Sequence, residues 1–178
     1  SAASDVYKRQ VAVLAQLYCL VFSSGPPDFY LSEYRKKLVC RSAPQVIEQA
    51  RAVDIDPSLV MALISVESNW NRTVVSSANA CGLTQVIPKY TGKITKKYTC
   101  KQLKVPRNSI YVGIKTLKFW IDYHDGNITR GLCSYNAGYR CRPTRKRPRP
   151  IKAGMRYARK VLKIQKMINR IASEKKSQ

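Results

Sequence analysis

The chain has 178 residues, 44% of them hydrophobic, so it can form one domain with a buried core, and wholesale disorder is excluded. It carries 33 Lys and Arg against 10 Asp and Glu, a formal net charge of +23 at pH 7. From Tyr139 to the end there are 15 basic residues and one acidic residue, Glu174. This charge favours nucleic acid, anionic lipid or a phosphate-rich envelope polymer as partner, without choosing among them.

The N-terminal segment is predicted to lie outside the folded body. Asp5–Gln10 (DVYKRQ) resembles a translated sequencing adapter, so residues 1–10 are interpreted as an adapter scar. Val11–Phe22 is apolar, too short to span a bilayer and followed by small residues, as in a signal peptide. Residues 11–24 are therefore predicted to be a signal-peptide remnant. A buried N-terminal helix is the alternative.

The six cysteines favour an oxidising compartment. They form no CxxC pair and His124 is the only histidine, so no metal site and no cofactor are expected. If Cys19 is removed with a signal peptide, five cysteines remain, and at least one of them has no partner within the chain. The pairing cannot be read from the sequence, although Cys133 and Cys141 are close enough along the chain to close a short loop.

The rest of the chain is predicted to consist of helices joined by turns. Asp56-Pro57 is a strong helix start, an aspartate N-cap before a proline, and this helix is predicted to end at Ser68. Apolar residues at helical spacing predict four more helices. They are Pro44–Val53, Ser109–His124 after an Asn108 cap, a short helix from a Thr129 cap to about Gly138, and Ile151–Ile171. No alternating strand pattern appears, so the fold class is predicted to be mainly α.

Residues 40–172 are predicted to form the domain, interrupted by a basic, proline-rich insert over residues 140–150 that cannot be helical. The last helix places Tyr157 on an apolar stripe, with Lys and Arg opposite. This cationic C-terminal region has two interpretations. It either serves solubility or attracts the protein to an anionic polymer.

Glu67 is the residue of the second predicted helix that requires an explanation. It falls within the apolar stripe, flanked by Val60 and Ile64. Burial there would raise the pKa of the carboxyl group, as a general acid working near neutral pH requires. The alternative is a glutamate that turns out to solvent at the helix end, and periodicity alone does not decide.

Three blocks in order decide between these alternatives. Glu67-Ser68, Gly82–Pro88 (GLTQVIP) and Ser134–Gly138 (SYNAG) resemble, in order and spacing, the signature blocks of the soluble lytic transglycosylase family, which shares the fold of goose-type lysozymes. Asn108–Leu117 and Tyr157–Leu162 also resemble that family. The resemblance covers roughly residues 44–162 and implies a lysozyme-like transglycosylase domain.

The resemblance implies a role for each matching residue. Glu67 would be the catalytic acid and base. Ser68 and Gln85 would hydrogen-bond the sugar or its peptide, Tyr135 would orient Glu67 through its hydroxyl group, and Asn136 would help to hold the loop. Two structural roles stay open, in which Tyr135 is a core aromatic and Asn136 belongs to a helix C-cap.

The blocks depart modestly from the family pattern. Thr84 stands where Met is usual, Ser134 stands where Ala is usual, and Cys81 precedes the glycine. None of these changes replaces a group that transfers protons. Gly82 would let the backbone approach the cleft.

The number of carboxylates within the blocks indicates the type of reaction. Glycoside hydrolysis usually takes two carboxylates, and no second acid lies within the blocks. One carboxylate suits a reaction in which the substrate supplies its own nucleophile. As in the family, Glu67 would then cleave the bond between N-acetylmuramic acid (MurNAc) and N-acetylglucosamine (GlcNAc) of peptidoglycan, with formation of a 1,6-anhydro ring.

The expected partners are peptidoglycan glycan strands and, through the basic C-terminal region, anionic envelope polymers. A monomer is expected, secreted or periplasmic in the cell envelope, with virion association left open. The alternatives are a hydrolytic goose-type lysozyme and a basic nucleic-acid-binding protein on the same fold. Nucleic acid is disfavoured, because the basic insert has few interleaved aromatic residues and no recognisable reading motif.

Overall fold

The computed structural model describes residues 2–25 and 31–177. Within these ranges the chain forms eight α-helices, a short 3₁₀ turn and no β-strand beyond isolated bridges, which confirms the predicted mainly α class. The elements in chain order are α1 (Ala2–Ser23), α2 (Glu33–Arg51), α3 (Pro57–Ser68), α4 (Pro88–Thr91), α5 (Cys100–Leu103), α6 (Pro106–Tyr123), α7 (Ile128–Ala137), the 3₁₀ turn (Gly138–Cys141) and α8 (Lys152–Lys176).

Helix α3 is the centre of the hydrophobic core. All its residues from Pro57 to Ile64 are buried, as expected of a helix that is apolar on every side. It packs against α2 and α8, and α7 packs against α6 and α8. The predicted bounds of α3 are confirmed, and the Asp56 carboxylate accepts the Ser58 N–H at 2.8 Å as its N-cap. The core therefore fixes both ends of α3.

Helix α1 packs along α2 and also contacts α8. Its buried face includes Tyr18, Val21 and Phe22, which join the main core, and the Cys19–Cys40 disulfide ties it to α2. The structure thus shows the alternative, a buried N-terminal helix, and the prediction that this segment lies outside the folded body is wrong. Ser1 lies outside the described residues. The adapter-scar interpretation of residues 1–10 and the signal-peptide interpretation of residues 11–24 stay predictions, because packing reports neither sequence origin nor cleavage.

The prediction that Pro44 opens a helix is wrong. Helix α2 begins at Glu33, after Ser32, whose hydroxyl oxygen accepts the Arg35 N–H, and Pro44 lies in its interior. A proline inside a helix removes one backbone hydrogen bond. Here the helix buries an apolar face around Val46, and this tertiary packing outweighs the local preference.

Two other predicted helix starts are also wrong. Helix α6 begins at Pro106 rather than after Asn108, because a proline fits the first helical position as well as an asparagine fits the cap. Helix α7 is capped by Asn127, whose side chain accepts the Arg130 N–H at 2.9 Å, rather than by Thr129. Helix α8 covers nearly all of its predicted range and continues to Lys176.

All six cysteines form disulfides. Cys133–Cys141 closes the short loop that the spacing predicted, and it joins α7 to the 3₁₀ turn. Cys81–Cys100 joins the loop before α4 to α5. Among the helices described, none combines the length and apolar character needed to cross a membrane.

Candidate active site

Glu67 occupies the last turn of α3, and the chain turns sharply after it. Asn69 and Trp70 both adopt left-handed backbone conformations, with φ of 47° and 60°. For a tryptophan this conformation is rare and persists only where the surroundings impose it. The Trp70 side chain is fully buried, and its indole N–H donates to the Ser65 hydroxyl oxygen at 3.2 Å. The buried ring therefore locks the helix end that carries Glu67.

Tyr157 holds the Glu67 carboxyl group. It lies near the start of α8, which packs against α3, and its hydroxyl group donates to Glu67 Oε1 at 2.5 Å. The two residues are 90 positions apart in the chain, and both are partly buried. A hydrogen bond of this length fixes the orientation of the carboxyl group and leaves Oε2 for other contacts.

The environment raises the pKa of Glu67 to about 7. Burial is the main cause, and it outweighs the Tyr157 hydrogen bond and the positive charge of Lys160, which both lower this pKa. A carboxyl group with this pKa is protonated in a large fraction of molecules at neutral pH. It can therefore donate a proton and accept one later, as a general acid and base must.

Tyr135 does not make the contact predicted for it, and that prediction is wrong. Its hydroxyl group donates to the Thr84 backbone carbonyl at 2.7 Å, so its single proton is not offered to Glu67. Burial and then the charge of Glu67 raise the pKa of Tyr135. Tyr135 thus joins α7 to the loop, and Tyr157 orients the acid.

Ser68 and Gln85 join the helix end to the 82–88 loop. The Ser68 hydroxyl lies 2.8 Å from the Leu83 carbonyl oxygen, to which it donates. Gln85 adopts φ of 49°, and its amide nitrogen donates to the carbonyls of Gly82 at 2.8 Å and Val74 at 3.2 Å. The amide oxygen of Gln85 accepts no hydrogen bond from any part of the chain that is described. The predicted sugar-binding roles of Ser68 and Gln85 stay predictions.

The end of α7 combines an exposed asparagine with a glycine cap. Asn136 is exposed, and its side chain makes no hydrogen bond within residues 31–177. Gly138 has φ of 61° and ψ of −146°, a conformation that only glycine adopts readily, and its N–H donates to the Ser134 carbonyl. Gly138 is therefore the helix C-cap. The predicted role of Asn136 in holding the loop stays a prediction.

The glycine of the second block has a packing role. Gly82 has φ of 77°, and a Cβ atom added there would lie 2.0 Å from the Leu103 carbonyl oxygen. The loop can thus approach α5 only with a glycine at this position. Its predicted role of letting the backbone approach the cleft stays a prediction.

Two of the three departures from the family pattern, Thr84 and Ser134, are paired buried groups. The Thr84 hydroxyl donates to the Ser109 carbonyl at 2.8 Å, which ties the loop to α6. The Ser134 hydroxyl lies 2.7 Å from His124 Nε2 and is buried with it. Burial lowers the pKa of His124. Each polar substitution in the core thus has its own partner, as a buried polar group requires.

The other acids near α3 lie at its far end. Asp54, Asp56 and Asp122 line a cavity of about 210 Å³ beside the start of the helix. Eleven residues separate Asp56 from Glu67, which corresponds to roughly 16 Å along a helix. A larger cavity of about 780 Å³ lies beside α1 and is likewise not lined by Glu67. Among the residues described, which do not include Asp28, no second carboxylate acts on Glu67.

Comparison with known proteins identifies the family of the chain. Residues 44–155 match the family model described as the transglycosylase SLT domain. The endo-type membrane-bound lytic murein transglycosylase A of Cronobacter sakazakii is 31% identical over 111 residues, which cover 54% of this chain and 55% of that protein. The membrane-bound lytic murein transglycosylase C of Actinobacillus pleuropneumoniae serotype 5b is 44% identical over 50 residues, 28% of this chain and 14% of that protein.

Solved structures show the same fold. An inactive mutant of the lytic transglycosylase Slt from Pseudomonas aeruginosa matches with a TM-score of 0.62 and 21% identity, over 70% of this chain and 23% of that chain. The 70 kDa soluble lytic transglycosylase from Escherichia coli matches with a TM-score of 0.59 and 21% identity, over 86% and 29% of the two chains. The chain thus spans about half or less of each protein named here. Because the family model matches more than half of the chain, the chain belongs to the transglycosylase SLT domain family.

Proposed function

We propose that the chain is a peptidoglycan lytic transglycosylase. It cleaves the β-1,4 bond between MurNAc and GlcNAc and leaves a 1,6-anhydro-MurNAc end, with Glu67 as the acid and base. The observation that carries the proposal is the environment of Glu67. Its carboxyl group is partly buried, has a pKa of about 7, receives the Tyr157 hydroxyl at 2.5 Å and has no described carboxylate beside it. The names of the relatives agree with this assignment.

The reaction takes two proton transfers at one group. Protonated Glu67 donates its proton to the glycosidic oxygen, the bond between that oxygen and C1 of MurNAc breaks, and GlcNAc leaves with a free 4-hydroxyl group. The Glu67 carboxylate then takes the proton of the MurNAc C6 hydroxyl, whose oxygen bonds to C1 and closes the anhydro ring. Glu67 ends protonated, so the cycle consumes no water.

A single carboxylate favours this route over hydrolysis. Hydrolases usually place a second carboxylate within about 5–10 Å of the first, to act as nucleophile or to activate water. The aspartates nearest to α3 lie at its other end, and their positions suit capping and a surface cavity. The goose-type lysozyme reaction is therefore the alternative outcome of the test below.

The test is a digestion of purified sacculi followed by mass spectrometry of the muropeptides. We expect 1,6-anhydro-MurNAc ends from the parent protein and none from Glu67→Gln. New ends that are all reducing would show hydrolysis and overturn the proposed mechanism. A parent protein that releases no muropeptides would overturn the enzymatic assignment itself.

We also propose that the protein acts as a monomer in the cell envelope, outside the cytoplasm. Three disulfides support an oxidising compartment, and the relatives include proteins named membrane-bound and soluble. The intact mass of exported protein separates the two interpretations of the N-terminus. Loss of residues 11–24 would leave Cys40 without its partner, whereas retention would leave all three disulfides in place.

The basic insert is proposed to attract the enzyme to anionic envelope polymers. Arg145, Lys146 and Arg149 are exposed, whereas Arg147 donates to the carbonyls of Tyr139 and Arg142 and holds the insert in place. Reversing the three exposed charges to Glu therefore tests attraction while sparing the structure. We expect weaker binding to whole walls at low salt and an unchanged rate on short soluble glycan strands. Unchanged wall binding would contradict the proposal.

A further inference from the structure

A cluster of four aromatic rings lies at the surface beside the basic insert. We name it the aromatic platform; its members are Phe119, Trp120, Tyr123 and Tyr139. Tyr139 is central, with its ring centroid 5.0 Å from that of Trp120 and 5.4 Å from that of Tyr123. Tyr139 is 61% exposed and Phe119 is 38% exposed. Large aromatic side chains that meet in one exposed patch are unusual unless the patch binds something.

The aromatic platform is fixed before any ligand arrives. Tyr139 belongs to the 3₁₀ turn, which the Cys133–Cys141 disulfide ties to α7. Arg147 donates to the Tyr139 carbonyl at 3.3 Å. Arg142 donates to the Tyr123 hydroxyl oxygen at 3.0 Å and lies 5.2 Å from the centre of that ring. A surface ordered in advance loses little conformational entropy on binding.

The aromatic platform lies close to the candidate active site along the chain. Tyr139 follows Tyr135 by four residues, and four residues span at most about 14 Å. The Tyr135 hydroxyl group donates to a backbone carbonyl of the 82–88 loop. The same loop accepts the hydroxyl group of Ser68, the residue after Glu67. A glycan strand that passes Glu67 would therefore reach the aromatic platform within a few sugars.

The chemistry of the surface fits an anionic saccharide. The C–H-rich face of a pyranose ring stacks on an exposed aromatic ring, and arginine guanidinium groups bind carboxylates with paired hydrogen bonds. Arg140 and Arg142 follow Tyr139 in the chain, and both are exposed. Two acidic residues lie in the neighbouring stretch of the chain. Asp122 forms an ion pair with Lys118, whereas the negative charge of Asp125 acts on Arg142.

We infer that the aromatic platform is an accessory binding site for a peptidoglycan strand, in which Tyr139 stacks on a sugar ring and Arg142 binds a carboxylate of the stem peptide. The inference rests on the proposed function, and it adds a second contact to the same substrate. Such a site binds the ground state and the transition state alike. Its loss should raise KM and leave kcat unchanged.

The test measures binding of glycan strands that carry stem peptides to the full chain with Glu67→Gln, so that the ligand is not consumed. Tyr139→Ala should weaken binding about tenfold, because it removes one stacking ring. Tyr139→Phe should bind within about twofold of its parent, because it keeps the ring. Tyr111→Ala is the matched control, since Tyr111 is an exposed tyrosine on α6, beneath the Lys115 cation and apart from the aromatic platform.

The outcomes separate the inference from the proposed function. Equal binding by Tyr139→Ala and its parent, or equal losses for Tyr139→Ala and Tyr139→Phe, would overturn the stacking assignment while the enzymatic assignment stood. Arg142→Gln should weaken binding of peptide-bearing strands more than that of strands stripped of peptides, and equal effects would overturn the carboxylate contact. No glycan binding by any variant, together with no anhydro products from the parent, would overturn both.

Discussion

The two ends of helix α3 carry acidic side chains in opposite environments. At the start, the Asp56 carboxylate accepts the Ser58 N–H at 2.8 Å and lies at the positive end of the helix dipole. At the end, Glu67 lies near the negative end of the dipole, partly buried, and receives the hydroxyl group of Tyr157. The first environment stabilises a carboxylate, whereas the second favours a neutral acid.

The difference shows how one helix divides structural and chemical work between similar residues. Asp56 satisfies a backbone donor that the first helical turn leaves unpaired, so its effect should appear in stability. Glu67 is kept in an environment where ionisation is unfavourable, so its effect should appear in the reaction and in the pH dependence of stability. The predictions below separate these effects, from the largest to the smallest.

Replacing Glu67 by Gln should produce the largest change. Gln can still accept the Tyr157 hydroxyl group but cannot transfer a proton, so we expect turnover of sacculi to fall by about 10³-fold or more. Binding to sacculi should be retained. Asp56→Asn is the matched amide substitution at the other end of α3 and should keep activity within about twofold, since Asn also caps helices well. A Glu67→Gln variant within tenfold of the parent would contradict the assignment of the acid.

The same variant should gain stability at alkaline pH. The pKa of Glu67 is about 7 in the folded protein, against an ordinary value of 4.5, so the folded state binds more protons between these pH values. The contribution of Glu67 to stability is therefore fully present below pH 4.5 and is lost as the pH rises through 7. At pH 8 we expect Glu67→Gln to unfold with a free energy roughly 1–3 kcal/mol higher than the parent. Denaturant titrations at pH 4 and pH 8 measure this, and a difference of equal size at both pH values would refute it.

Removing the Tyr157 hydroxyl group should alter the pH profile. The hydrogen bond from Tyr157 lowers the pKa of Glu67, so Tyr157→Phe should move the alkaline limb of kcat to higher pH and reduce kcat by about tenfold through poorer positioning. Tyr135→Phe is the control, because the hydroxyl group of Tyr135 donates to Thr84. We expect its alkaline limb to match the parent. A shift with Tyr135→Phe and none with Tyr157→Phe would reverse the roles given to the two tyrosines.

The start of α3 could be predicted from the sequence, whereas the contacts around its C-terminal end could not. The Asp56-Pro57 start depends on backbone groups a few residues away, so residue preference alone places it. The position of Glu67 in the apolar stripe was also readable, because helical geometry is local. The hydrogen-bond partner of Glu67 could not be predicted from the sequence, because Tyr157 lies 90 residues further along the chain. The contact between the two residues depends on how α8 packs against α3.

The errors at Tyr135 and Pro44 share one physical cause. Both Tyr135 and Tyr157 were visible in the sequence within family-like blocks, but only the packed structure decides which hydroxyl group reaches the carboxyl group. Pro44 was read as a helix start because its local preference points that way, whereas tertiary packing of α2 places it in the interior. Local preferences therefore predicted the class of the fold, the resemblance of the three blocks predicted the acid, and long-range packing determined the remaining contacts.

Removing the Asp56 side chain should give the smallest effect and should change stability alone. Asp56→Ala loses the cap to Ser58 and a weak 3.3 Å contact from Gln165 on α8, so we expect a loss of about 1 kcal/mol in the free energy of unfolding. The specific activity of the folded enzyme and its pH profile should match those of the parent, because roughly 16 Å of rigid helix separates the cap from Glu67. Asp56→Asn, which retains the cap, should recover most of the stability. A specific activity reduced more than threefold in folded Asp56→Ala would show that the two ends of α3 are coupled, and the separation of structural and chemical roles along this helix would not hold.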